Sequence, residues 1–308
     1  VVTFNYNGGN GGDSTATASF TTAGSPITLP VPTKTGFTFA GWHSDAALAT
    51  QIGTGVGNRS YSPTGGALSL NAYAKWEAVN YTFTYNSNSA DSGTVPTESS
   101  KQITQTATVK ANTGNLVRVG YTFSGWNIAS DGTGTNYLSG SLFTVGSDDV
   151  ILFAKWSPNT YTVTYNTNGG TGNAQRSSAN VTSDTYTTDS SPVVFPGVGT
   201  LTRSGYTFGG WNTSAAGTGT NYVATNTYTT VSNVIFYAKW NPVTYTITYN
   251  GNQNTGGTTP TAGGYTTGQD SPYAVLSNSF TKTLNVFGGW NTADNGTGTS
   301  YSPGASIT

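Results

Sequence analysis

The sequence predicts a mainly β protein built as a tandem array of four small repeats. Three observations carry this: tryptophans recurring at a long fixed period, apolar/threonine alternation at the same period, and short junctions between copies. Period-2 alternation places one face of a strand in a core and the other in water. Self-similarity at a fixed spacing marks one structural unit copied in series.

All seven tryptophans fall into two series. Trp42, Trp126, Trp211 and Trp290 each follow a glycine, at spacings of 84, 85 and 79 residues. Trp76, Trp156 and Trp240 each close an Ala-Lys-Trp triplet, at spacings of 80 and 84. The repeats are therefore read as 1–77, 78–157, 158–241 and 242–308, the fourth without its Ala-Lys-Trp strand.

Each repeat opens on an alternating strand, as in Tyr161-Thr-Val-Thr-Tyr165 and Tyr245-Thr-Ile-Thr-Tyr249. A Thr/Ser/Gly/Asn-rich stretch follows, in which Phe20-Thr-Thr, Tyr186-Thr-Thr and Tyr265-Thr-Thr each precede a Ser-Pro. It reads as a second strand ended by proline, which cannot donate to a ladder. Repeat 2 instead carries the strand-like run from Gln102 to Val109 without the Ser-Pro, so its connection is expected to differ.

The third strand is Gly36-Phe-Thr-Phe-Ala-Gly-Trp42, with equivalents ending at Trp126 and Trp211 and a relaxed copy from Leu284 to Trp290. The glycine before each tryptophan marks a bulge or a close backbone approach. Gly-Thr-Gly-Thr turns follow at Gly132, Gly217 and Gly296, whereas repeat 1 carries a longer loop. The closing strands, such as Val150-Ile-Leu-Phe-Ala-Lys-Trp156, are apolar on both faces and read as central. Phe39, Phe123, Phe208 and Phe287 join the seven tryptophans as the predicted core.

Four residues separate each closing Trp from the next opening strand, and two of these junctions contain proline. None is a Gly/Ser tether, so the array is expected to be a rod. The missing fourth closing strand leaves two readings open: an excerpt of a longer array, or a strand supplied by a neighbouring chain.

Charged residues make up only 7% of the chain, with a net charge of -1, against about a quarter in an ordinary soluble domain. That argues against nucleic-acid binding, which needs clustered Lys/Arg, and favours self-association. Cysteine and methionine are absent, which suits an oxidising exterior. No run is apolar and long enough to span a bilayer as a helix, so no membrane insertion is expected of this segment.

Candidate chemistry is sparse. His43 is the single histidine and reads as a solvated loop residue. Asp148-Asp149 is the sole adjacent acidic pair and reads as a turn, as does the glycine-rich Gly8 to Asp13. Lys34, Arg118, Arg203 and Lys282 recur before the third strand and read as edge protection. The stems of Lys75, Lys155 and Lys239 are read as covers for apolar surface. Asn58, Asn80, Asn180, Asn212 and Asn295 begin Asn-x-Ser/Thr sequons. Tyr273 replaces the aliphatic residue of other repeats and is the one aromatic marked as partner-facing. No catalytic residue, cofactor or metal site is expected.

The segments Tyr161 to Asn166, Gly205 to Trp211 and Phe236 to Trp240 resemble the Listeria-Bacteroides repeat family, the internalin B-repeat type. The resemblance covers essentially the whole chain. It implies β-grasp-like domains with at most a short helix each, in tandem on secreted or surface-anchored proteins. The expected function is a non-enzymatic extracellular stalk, spacer or fibre-forming segment. The alternative is an adhesin or carbohydrate-binding module. The expected partners are neighbouring repeats or further copies, and for an adhesin, glycans or proteins of a host or the environment.

Overall fold

A computed structural model of the chain describes residues 1–10, 17–19, 26–52, 60–62, 69–268 and 272–307. The Phe20-Thr-Thr segment, the Gly11–Asp13 part of the glycine-rich turn, and Asn58 lie outside the described residues. Those described form β-strands joined by turns, and no helix occurs among them. The chain divides into two compact units, Val1–Pro158 and Asn159–Thr308.

Repeat 3 shows the complete pattern. Its opening strand, Thr160–Asn166, pairs antiparallel with Ser183–Thr187 and parallel with the closing strand, Val234–Pro242. The closing strand pairs on its other edge, antiparallel, with the tryptophan strand Tyr206–Asn212, and Asn221–Tyr222 completes the sheet. Repeat 1 has the same order: Thr17–Ala18, Val2–Asn5, Leu70–Ala78, Phe37–His43, Gln51–Ile52. This is the mixed sheet of a β-grasp, with the opening and closing strands as its parallel central pair.

Repeat 2 keeps four of these strands, ordered Asn136–Tyr137, Tyr121–Asn127, Val150–Pro158, Phe83–Asn86. Its divergent segment leaves the sheet: Lys101–Gln102 pairs with Asn80–Tyr81, and Thr106–Thr108 with Leu142–Thr144. In place of a helix, a two-stranded ladder covers the sheet; in repeat 3 it joins Val193–Val194 to Thr227–Tyr228. The central stretches are built from Thr, Ser, Gly and Asn, whose helix propensities are poor. The core of each complete repeat lies between this ladder and the sheet, as in repeat 3, where Val193, Phe195 and Tyr228 meet Val163, Trp211 and Phe236.

The glycine before Trp42, Trp126 and Trp211 lies at a bulge. Register shifts between Phe39 and Gly41, between Phe123 and Gly125, and between Phe208 and Trp211. Gly125 adopts φ +126°, and a Cβ there would lie 2.9 Å from the carbonyl oxygen of Tyr137. An L side chain is therefore excluded twice, by conformation and by space.

Within the first unit the two repeats are joined by backbone. Val79 N–H donates to Gly36 O at 2.9 Å, and a Cβ on Gly36 would sit 2.6 Å from a methyl of Ile103 in repeat 2. The second unit repeats the arrangement: Val243 N–H donates to Gly205 O at 2.9 Å, and Gly205 packs on Thr267 of repeat 4. The glycine that begins the tryptophan strand thus lets the following repeat approach closely.

Candidate functional site

The recurring tryptophan centre is the most elaborated site in the chain. Trp42, Trp126 and Trp211 are fully buried. Each indole N–H donates to a backbone carbonyl: Pro30 at 2.8 Å, Lys110 at 2.8 Å and Pro196 at 2.9 Å. The N–H is thereby satisfied without water, as burial requires. The closing tryptophans are half-buried and donate to the turn after the opening strand: Trp76 to Tyr6 O, Trp156 to Asn88 O, Trp240 to Thr167 O. Phe39, Phe123 and Phe208 each bridge the two tryptophans of their repeat, with edge contacts of 5.2 to 5.8 Å. In repeat 4, Phe287 meets Trp290 at 5.1 Å, and Trp290 donates to Leu276 O at 2.9 Å.

The residue after each strand-ending tryptophan has a turn-clamping role that the sequence did not reveal. Asn212 is fully buried; its Nδ2 donates to Gly219 O at 2.9 Å, and its Oδ1 accepts from Ser214 N at 2.9 Å and Gly219 N at 3.0 Å. Asn127 and Asn291 clamp their Gly-Thr-Gly turns in the same way. The signal was a Trp-Asn pair followed by glycines five and seven residues after the asparagine. Burial also makes Asn212 inaccessible as a glycan acceptor in the folded state, whereas Asn80, Asn180 and Asn295 are exposed.

His43 occupies this asparagine position in repeat 1, which corrects its reading as a solvated loop residue. It ends the tryptophan strand, is 5% exposed, and its Nδ1 has no hydrogen-bond partner among the described residues. His43 directly follows its tryptophan, as Asn127 and Asn212 follow theirs, but the change of residue type at the position hid the shared role. The loop is clipped instead by Asp45, whose carboxylate accepts from Ala49 N at 3.0 Å and Thr50 N at 2.8 Å. Those bonds hold the Asp45 carboxyl below the usual carboxylate range.

Three of the four recurring basic residues clamp turns. Lys34 Nζ donates to Asn7 O at 3.0 Å, Arg203 to Asn168 O at 3.4 Å and Lys282 to Asn252 O at 3.3 Å. Lys34, Arg118 and Arg203 also lie over the rings of Phe37, Tyr121 and Tyr206. The stem of Lys155 runs beside Gly132, and its ammonium donates to Asn136 Oδ1 at 2.9 Å. Asp149 accepts from Thr82 N at 2.7 Å, and Asn233 does the same for Thr162 at 2.8 Å.

Tyr273 is half-buried and lies against Gly263. Its hydroxyl lies 3.2 Å from that of Tyr249, and the pairing of the two phenols, then burial and the charge on Tyr249, pushes its pKa up to about 12.

Repeat 3 holds a bidentate ionic cluster. Arg176 pairs with both carboxylate oxygens of Asp184, at 2.9 and 2.7 Å, and Tyr165 donates to Asp184 at 3.0 Å. Burial pushes the Asp184 carboxyl up, but the bonds from Arg176 and Tyr165 and the Arg176 charge outweigh it and hold it low. Burial, then the Asp184 charge, push the Tyr165 phenol well above its ordinary value. A cavity of about 330 Å³ opens beside Arg176 and Asp184, bordered by Ser190, Pro192 and Val194. Among the described residues no group of three or more His, Asp or Glu side chains converges as a metal site would require.

A sequence profile of the Listeria-Bacteroides repeat domain matches residues 1–62, 81–155, 161–239 and 245–308. This chain belongs to the Listeria-Bacteroides repeat family. Two proteins of Evansella cellulosilytica are similar to it. One, named "Putative Gly-rich membrane protein", is 31% identical over 71% of this chain and 24% of its own length. The other, named "Putative membrane protein", is 34% identical over 52% of this chain and 22% of its own. The chain thus spans about a quarter of the length of these relatives. No solved structure matches it at a significant level. In these Listeria-Bacteroides repeats the residues that recur from copy to copy build the core and the turn clamps, and no helix among the described residues is long and apolar enough to cross a membrane.

Proposed function

We propose that this chain is a non-enzymatic structural segment of an extracellular or cell-surface protein, acting as a stalk or spacer. The observation that carries the reading is the junction within each unit, where Gly36 locks onto Ile103 and Gly205 onto Thr267 with a backbone hydrogen bond beside each. Such junctions transmit force through backbone and packing rather than through a flexible tether. The naming of both relatives as membrane proteins supports a surface location. The low charge and absent sulfur fit exposure outside the cell.

Small-angle X-ray scattering of the 308-residue chain tests the proposal. Four domains of about 80 residues set end to end would give a maximum dimension on the order of 120 Å, against roughly 50 Å for one compact globule. A dimension near the smaller figure would refute the stalk reading. So would a scattering profile that shows the repeats moving independently.

A further inference from the structure

We propose that Asn295 is a self-modifying site, at which the backbone nitrogen of Gly296 attacks the side-chain amide and a new carboxylate results. This goes beyond the stalk reading and does not depend on it. The only co-reactant is water. The Gly296 nitrogen bonds to Asn295 Cγ and gives up its proton, the C–N bond of the side-chain amide breaks, and ammonia leaves. Water then opens the cyclic imide at one carbonyl or the other, giving either aspartate or a backbone rerouted through the side chain. Glycine suits the position after the asparagine because it brings no side chain to crowd the attacking nitrogen.

Asn-Gly pairs begin at Asn7, Asn10, Asn168, Asn250 and Asn295, and Gly11 lies outside the described residues. At Asn7 and Asn168 the amide that would leave is locked. Asn7 Nδ2 donates to Ala74 O at 2.7 Å, and Asn168 Nδ2 donates to Ala215 O at 2.8 Å and to Ala238 O at 3.0 Å. Both residues are also held in the left-handed region, at φ +48° and +52°. At Asn250 the glycine is what cannot move. A Cβ on Gly251 would lie 2.2 Å from Asn254 Oδ1 and 3.0 Å from the ring of Phe280, so this peptide has no room to swing toward Cγ.

Asn295 differs on each count. It is exposed, and its Oδ1 accepts from Thr297 N at 3.1 Å and from Thr297 Oγ1 at 2.7 Å, while its Nδ2 has no partner among the described residues. Those two donors stabilise the negative charge that gathers on Oδ1 as the ring closes. A Cβ on Gly296 would meet nothing within 4 Å, so the attacking peptide has open space around it. The bonds that hold it are long: Gly296 N donates to Ala293 O at 3.1 Å, and Asn291 Nδ2 donates to Gly296 O at 3.3 Å. The aspartate product also fits the turn. Asp131 stands at the same position of repeat 2, where its carboxylate accepts from Thr133 N at 3.0 Å and Thr133 Oγ1 at 2.8 Å. Conversion of Asn295 therefore reproduces the repeat-2 turn and adds a negative charge to a chain whose net charge is -1.

The test incubates the 308-residue chain at mildly alkaline pH, folded and in denaturant, and follows each Asn-Gly peptide by mass spectrometry. In the folded chain, conversion at Asn295 is expected to outpace that at Asn7, Asn168 and Asn250 at least tenfold. In denaturant the four rates are expected to converge, since only the fold separates them. Thr297→Val removes the hydroxyl donor and keeps the backbone one. It is expected to slow conversion at Asn295 in the folded chain at least threefold and to leave the other sites as in the parent. The proposal is overturned by any of three results: Asn168 or Asn250 converting as fast as Asn295 in the folded chain, the same tenfold ranking in denaturant, or an unchanged rate at Asn295 in Thr297→Val.

Discussion

Replacing Trp211 by alanine removes the largest fully buried side chain of repeat 3 together with the donor to Pro196 O. The indole contacts Tyr165 at 4.9 Å and Phe208 at 5.5 Å, and neither ring can fill the space it leaves. Large aromatic-to-alanine changes in such cores cost about 3–5 kcal/mol, part of it for the cavity. A domain of this size has a total stability of only about 4–12 kcal/mol, so the loss threatens the whole repeat. Trp211→Phe separates the two contributions: it keeps most of the packing but strands the Pro196 carbonyl, for about 1–3 kcal/mol. The same alanine change at the half-exposed Trp290, whose indole hydrogen bond is intact, is expected to cost less than about 2 kcal/mol. The assay is native-state amide exchange of the full chain, read separately on peptides from repeats 3 and 4. Trp211→Ala should speed repeat-3 exchange by a factor on the order of 100 or more. Equal effects at Trp211 and Trp290, or less than a tenfold effect at Trp211, would refute the argument that burial rather than motif sets the energy.

Four further outcomes follow from the clamp, the bulge and the ionic cluster of repeat 3. Asn212→Ala leaves the amides of Ser214 and Gly219 without their acceptor, and is expected to cost about 2–4 kcal/mol with exchange at those two amides rising first; unchanged exchange there would count against the clamp. Gly125→Ala forces a side chain to φ +126° and against Tyr137 O, for about 1–3 kcal/mol, read as a lowered urea midpoint for repeat 2. Asp184 has its folded pKa depressed below the unfolded value of about 3.9, so its stabilisation of repeat 3 is present above that value and lost as pH falls through the folded one. Repeat-3 stability should drop between about pH 5 and 2, and Asp184→Asn should flatten that slope. Tyr165 runs the opposite way: its raised pKa gives stability that is present below about pH 10 and lost above it.

Much of the fold was legible because the repeats copy their signals. Strand alternation, the Gly-Trp bulge and the apolar closing strand each depend on residues adjacent in sequence, and four copies separate signal from chance. The sequence left room for at most a short helix in each repeat, and the Thr/Ser/Gly/Asn composition of the central stretches accounts for there being none among the described residues. What decides His43 is different in kind. Its burial depends on the register between the tryptophan strand and the strand at Gln51–Ile52, where His43 pairs with Gln51 as Asn127 pairs with Asn136.

The turn clamps were equally hidden. Lys34 reaches Asn7 and Trp76 reaches Tyr6 across 27 and 70 residues, distances over which sequence carries no geometric information. Tyr273 marks the same boundary: its identity stood out in the sequence, but its direction was set by Tyr249 and Gly263 once the strands had packed. Sequence by itself determined the period, the strands, the bulges and the paucity of chemistry, since each is a local pattern repeated. Only the tertiary structure decided which polar groups are buried and what each satisfies, because a hydrogen bond needs both partners in place and the fold alone brings them together.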